Sequence, residues 1–271
     1  MNEEQLDQVR IITRDQIKNT DTTLQVQPIE SLSPYIIVEE LPSKFLPYPK
    51  GSKISYKTFS YGELEQWANT SLGDEDKIKL ALAGIKTEGF EVQDLDLQDF
   101  YYIMMLRKLS TFNSPKFKLN FECPHCNHST TVTPELASIE FGELEIIEEI
   151  PVLVEMADSK VLEFKPMTVS DYLKFRKDNL EDTKLNRLAL QVRNMKFDQA
   201  LDYIKNSTNI DDMEILDELD TLLNFGNQKI TVNCTECNNP VTIPIAGVSA
   251  LAEPFRKQTR SLKDSIISRK K

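Results

Sequence analysis

Three observations predict an α+β fold of two helical lobes with small antiparallel sheets. All four cysteines of the chain fall in two short pairs, Cys123-Pro-His-Cys126 and Cys234-Thr-Glu-Cys237, and alternating β-type sequence flanks each pair. The stretch from Lys116 to Leu136 lies over that from Asn227 to Gly247 at a constant offset. Lys118 meets Lys229, Leu119 meets Ile230, Phe121 meets Val232, Asn127 meets Asn238 and Val132 meets Ile243. Upstream, Tyr56-Lys57-Thr58-Phe59-Ser60 resembles Phe164-Lys165-Pro166-Met167-Thr168, and each precedes a helical run. The pattern predicts an internal duplication: two pseudo-symmetric lobes, each running strand, helices and knuckled hairpin, related by a pseudo-two-fold. A period of about a hundred residues is too long for a solenoid.

The elements follow in order. Residues 1–52 form an N-terminal arm and linker, with a candidate helix over Glu4 to Lys18, a candidate strand over Tyr35 to Leu41, and a loop marked by Pro42, Pro47, Pro49 and Gly51. The first lobe, residues 53–136, opens on a strand from Lys53 to Phe59 and a helix from Tyr61 to Asn69 that buries Trp67. A second helix follows Asp74 with Ile78, Leu82 and Ile85 on one side, and a third starts near Asp96 with Phe100, Ile103, Met104 and Leu106 inward. Residues 137–159 connect the lobes through strands at Glu143–Ile150 and Val152–Met156, and a turn at Asp158-Ser159 leads into a strand over Lys160–Lys165. The second lobe, residues 160–247, carries helices near 170–177, 183–192, 197–206 and 211–225. Asp211, Asp212 and Glu214 sit at a helix start, where the macrodipole favours acids without any ligand. Residues 248–271 form a basic tail.

The cysteine spacing predicts a structural zinc site. A CxxC turn presents two thiolates on one side of a tight loop, both able to reach one ion at about 2.3 Å, and a second such turn closes the tetrahedron. Cys123, Cys126, Cys234 and Cys237 are the expected ligands, and a closed set leaves no position for substrate. Disulfides are disfavoured because Met1 to Asp21 is charged and lacks the apolar run of a signal peptide. A redox role is disfavoured because thioredoxin-type motifs open a helix, whereas these pairs lie between strands. His125 and His128, the only histidines, are expected to face solvent on the knuckle.

Composition narrows the function further. The net charge of −11 argues against a nucleic-acid binder, since phosphate contacts need a basic face. No apolar run approaches membrane-spanning length. There is no Gly-rich phosphate loop, GxSxG elbow or HExxH, and two histidines leave little for acid–base chemistry, so no enzyme is expected. From Pro254 to Lys271 the tail carries Arg256, Lys257, Arg260, Lys263, Arg269, Lys270 and Lys271 against Asp264 alone. An acidic protein groove, or the chain's own acidic body, suits it better than DNA.

The order of Phe59 and its helix, Leu95 to Ser110, the strand ending at Cys123-Pro124, Pro151 to Met156, and Phe164-Lys165-Pro166-Met167 resembles a family from contractile-tailed phages of the T-even type. Its members are baseplate hub subunits or hub-assembly proteins. The resemblance covers about residues 53–245 and includes a strand-borne cysteine element after an acidic helix, matched here by Cys123 and Cys126. It implies other baseplate and tail proteins as partners, and a location in the virion tail baseplate, reached through the host cytoplasm during assembly. The long arm, the basic tail and the second full knuckle depart from the family pattern. They leave open a permanent component or a factor that departs after assembly. Two other classes share the cysteines: a zinc-ribbon adaptor in transcription or replication, and a metal enzyme, which would need three protein ligands and water in place of four thiolates.

Overall fold

The computed structural model describes residues 35–67, 72–112, 115–144, 149–225 and 228–245. The candidate helix over Glu4–Lys18 and the basic tail lie outside the described residues. Mixed helices and small antiparallel sheets make up the fold, as the sequence predicts. Strand β2 (Lys53–Lys57) is the centre of a three-stranded sheet, flanked antiparallel by β1 (Tyr35–Ile37) and β3 (Ile85–Glu88). Helices α1 (Tyr61–Trp67) and α2 (Asp74–Leu82) connect β2 to β3, with Trp67, Ile78 and Ala81 buried.

Two details here differ from the sequence expectation and one agrees with it. Ile85 opens β3 and does not extend α2: Gly84 follows α2, and Ile85 then pairs with Tyr56. The strand expected over Tyr35 to Leu41 is present as β1, and residues 38–48 add the buried Val38, Leu41 and Tyr48. The strand expected over Glu143–Ile150 is absent from its described residues, while β6 (Glu140–Phe141) lies just upstream. Leu144 is buried instead and donates its backbone N–H to Pro42.

Helix α3 (Leu97–Thr111) is the spine of the main core. Asp96 caps it, accepting from the backbone N–H groups of Gln98 and Asp99, which satisfies donors that a helix start otherwise leaves open. Its buried side chains include Phe100, Ile103, Met104 and Met105, but also Asp99, Arg107 and Lys108. Arg107 is satisfied locally: Nε donates to the Lys57 carbonyl at 2.8 Å and Nη1 to that of Ala81 at 2.7 Å. Gly84 leaves room for that guanidinium, since a Cβ there would sit 2.0 Å from Nη2.

Beyond the first knuckle, β7 (Val152–Glu155) and β8 (Val161–Phe164) form a hairpin. Helix α4 (Val169–Lys177) starts on a capping box in which Thr168 and Asp171 satisfy each other's backbone N–H groups. Ser60 and Glu63 make the same reciprocal pair at the start of α1. Helices α5 (Lys184–Gln191), α6 (Phe197–Lys205) and α7 (Ile210–Leu223) enclose a second apolar cluster with the β7–β8 hairpin, including Leu162, Phe164, Leu188 and Leu219. Asn209 caps α7 through the Asp212 N–H, with Asp211 and Asp212 in the first turn.

The two segments are alike in part. Lys57 donates to the Gly84 carbonyl after two helices, and Lys165 donates to that of Gln191 after two helices. In the second segment a single antiparallel bridge, Phe164 to Val192, stands where β2 pairs with β3 in the first. Helix α6 stands where the first has a three-residue 3-10 turn, Val92–Asp94. These local matches do not establish a pseudo-two-fold of whole lobes. The main core draws on both segments, taking Met167, Val169, Phe175, Ile230 and Ile245 into one cluster with Ile54 and Phe100.

Candidate metal centre

The two knuckles are built alike to the level of individual hydrogen bonds. In the first, β4 (Leu119–Glu122) pairs with β5 (Ser129–Val132), placing Leu119 opposite Val132 and Glu122 opposite Ser129. In the second, β9 (Gln228–Asn233) pairs with β10 (Pro240–Ile245), placing Ile230 opposite Ile243 and Asn233 opposite Pro240. The sequence offset therefore carries one register onto the other. At each turn the first cysteine's carbonyl accepts from an asparagine four residues on: Asn127 N–H to Cys123 at 2.8 Å, and Asn238 N–H to Cys234 at 3.0 Å. Both asparagines hold positive φ, 55° and 57°, a region that asparagine enters more readily than most side chains. The first cysteine's N–H returns to the strand, to His128 in one knuckle and Asn239 in the other. Strand β6 anchors the second knuckle by pairing Glu140 with Lys229.

These turns bring all four thiols together. The sulfurs of Cys123, Cys126, Cys234 and Cys237 lie within 4.8 Å of one another. Between knuckles, Cys123 Sγ is 3.7 Å from Cys237 Sγ, and Cys126 Sγ is 3.7 Å from Cys234 Sγ. A tetrahedron with Zn–S bonds of about 2.3 Å has edges of about 3.8 Å, so the donor set and spacing fit a closed four-sulfur site and could hold a metal ion. Cys123 and Cys234 are buried, Cys237 is half-buried and Cys126 is exposed. Their packing partners are apolar, namely Phe121, Val241 and Ile243.

Among the four thiols the charge falls unevenly. Thr130 Oγ1, 3.4 Å from Cys234 Sγ, together with the backbone N–H groups of Cys237 and Glu236, lowers the Cys234 pKa to about 6. Cys126 receives a lowering hydrogen bond from the His128 backbone, but partial desolvation and the three neighbouring sulfurs outweigh it and push its pKa up to about 12. A divalent cation would supply the charge that lets all four ionise. His125 and His128 are exposed and stand outside the cluster. Thr130 escaped the sequence reading: nothing marks it among neighbouring threonines until the hairpin register turns it towards the sulfurs.

A second polar centre, also missed in the sequence, lies at the start of α3. Asp99 accepts from Ser43 N–H at 3.0 Å, Ser43 Oγ at 2.5 Å and Tyr48 OH at 2.6 Å, tying the loop before β2 to the helix. Burial, then the charge of Asp99, raises the Asp96 pKa well above the carboxylate range. Burial likewise lifts Asp99, to about 6, against the lowering effect of its hydrogen bonds.

The sulfur cluster joins chain segments more than a hundred residues apart, and the core likewise draws on distant segments. A family model described as T4 bacteriophage base plate protein matches residues 34–251, and the chain belongs to that family. It is thus a structural component of the phage tail baseplate, with other tail proteins as its partners. No curated protein and no solved structure matches it. No described helix is long and apolar enough to cross a membrane.

Proposed function

We propose that the chain is a zinc-stapled subunit, or assembly factor, of the baseplate hub. The observation that carries this reading is the four-sulfur cluster formed between hairpins more than a hundred residues apart in a baseplate-family protein. Cys123, Cys126, Cys234 and Cys237 would be the ligands of one zinc, and its chemistry would be structural: the ion joins distant segments without a disulfide, and its binding energy becomes folding energy. The matched registers of the knuckles and the paired capping boxes at α1 and α4 support an origin by duplication, with lobes at residues 53–136 and 160–247. The arm from Met1 to Ser33 and the tail from Pro254 to Lys271 would dock on neighbouring subunits.

The test is incorporation. In tails assembled with tagged chain, the protein co-purifies with hub subunits in stoichiometric amounts if it is a permanent component. Its presence in assembling hubs and absence from finished virions would make it an assembly factor. Recovery only with other parts of the baseplate would contradict the hub reading.

A further inference from the structure

A cleft of about 610 Å³ lies where α3, α4, α5, α7, β9 and β10 meet. Leu97, Tyr101, Met167, Tyr172 and Phe175 give it apolar walls, and its size is that of a small-ligand pocket, with room for a few side chains and not for a further helix of several turns. Ile245 lines the cleft and is also the last described residue. Its place is fixed, because it pairs with Gln228 at the end of β10 and is buried in the main core. Residues 246–271 therefore set out from the wall of the cleft. Consecutive Cα atoms are 3.8 Å apart, which holds Val248 within about 11 Å and Leu251 within about 23 Å of the Ile245 Cα. At that reach a tethered segment meets the cleft at an effective concentration in the millimolar range. Its composition suits the walls. No charged residue occurs between Glu236 and Glu253, in a chain of which 28% is charged, and an uncharged stretch carrying valine and leucine gains by leaving water. The family match runs to residue 251, so Val248 and Leu251 lie within the matched part and the basic tail lies beyond it.

We propose that this cleft is occupied by the chain's own residues 246–252, outside the described residues, with Val248 and Leu251 seated against Tyr101, Tyr172 and Phe175. The basic tail from Pro254 then starts at the cleft edge, beside Asp182 and Asp220, and is presented from one fixed point of the body. That the tail meets a baseplate neighbour rests on the reading above, whereas the seating of Val248 and Leu251 does not. The two can fail separately.

Methyl-to-aromatic NOEs in the full chain, with valine and leucine methyls labelled, measure this directly. Cross-peaks from Val248 and Leu251 to the ring protons of Tyr101, Tyr172 or Phe175 are the expected result, and deletion of residues 254–271 should leave them in place. Leu251→Asp should shift the ring resonances of Tyr172 and Phe175 and lower the melting point by about 4–8 °C. Absence of the cross-peaks in the unaltered chain would overturn the proposal whatever the variant does, as would ring resonances and a melting point that Leu251→Asp leaves unchanged. Loss of the cross-peaks on deleting 254–271 would also overturn it, since the basic tail would then hold the segment in place. So would cross-peaks found only between labelled and unlabelled chains in a mixed sample, because the occupant would then belong to a second copy.

Discussion

Asp96 and Asp99 stand three residues apart on one helix start, yet they are expected to respond in opposite ways to the same substitution. Asp99 is surrounded by donors from Ser43 and Tyr48, so Asp99→Asn puts an amide against groups that need an acceptor and should cost about 1–3 kcal/mol. Asp96 keeps its cap as asparagine and loses only the unbonded oxygen and the repulsion with Asp99, so Asp96→Asn should raise stability at pH 7. The sign of the pH dependence follows from the upward shifts. The folded pair holds protons that the unfolded chain has released, so its contribution is full below the ordinary carboxylate pKa, and the part owed to Asp99 is lost as pH rises through about 6. Urea denaturation at pH 5 and 7 measures this, and the difference between the two pH values should shrink in Asp96→Asn. An unchanged difference would show that the pair does not titrate in this window.

At the scale of elements, the turn from α2 into β3 depends on a glycine for a tertiary reason. Any Cβ at Gly84 meets the Arg107 guanidinium, whose bonds to Lys57 and Ala81 join β2, α2 and α3. Gly84→Ala is therefore expected to destabilise by about 2–3 kcal/mol, whereas Gly62→Ala, which meets nothing within 4 Å, should be close to neutral. Thermal melts of the two variants test this, and equal melting points would remove Gly84's packing role. The same region shows what was legible in the sequence. The helix start near Asp96, the Asp158-Ser159 turn and both CxxC knuckles were readable because side-chain chemistry and period act locally there. Ile85 was misplaced because its apolar spacing continues that of α2, and only the pairing with Tyr56 makes it strand. The burial of Asp99 and Arg107 gave no local signal, because their partners are 26 to 56 residues away.

Across the whole molecule, the cysteine cluster is where chemistry and family membership meet. Four sulfurs at tetrahedral spacing, drawn from residues 123 to 237, would close a long loop of chain, and such closure restricts the unfolded ensemble most when the loop is long. Replacing Cys123 or Cys234, the two buried ligands, by serine should lower the folded yield in parallel with metal content, and chelation should do the same to the unaltered chain. Deleting residues 254–271 should leave metal content and folding intact, since the cysteines and the core of the described residues lie elsewhere, while reducing entry into baseplates. Full incorporation of the deleted chain would remove the docking role of the tail. The most direct measurement is native mass spectrometry of the purified chain with elemental analysis and X-ray absorption at the zinc edge. One zinc per chain with four sulfur neighbours at about 2.3 Å is the predicted result; no metal, two ions per chain, or a first shell containing nitrogen or oxygen would contradict it.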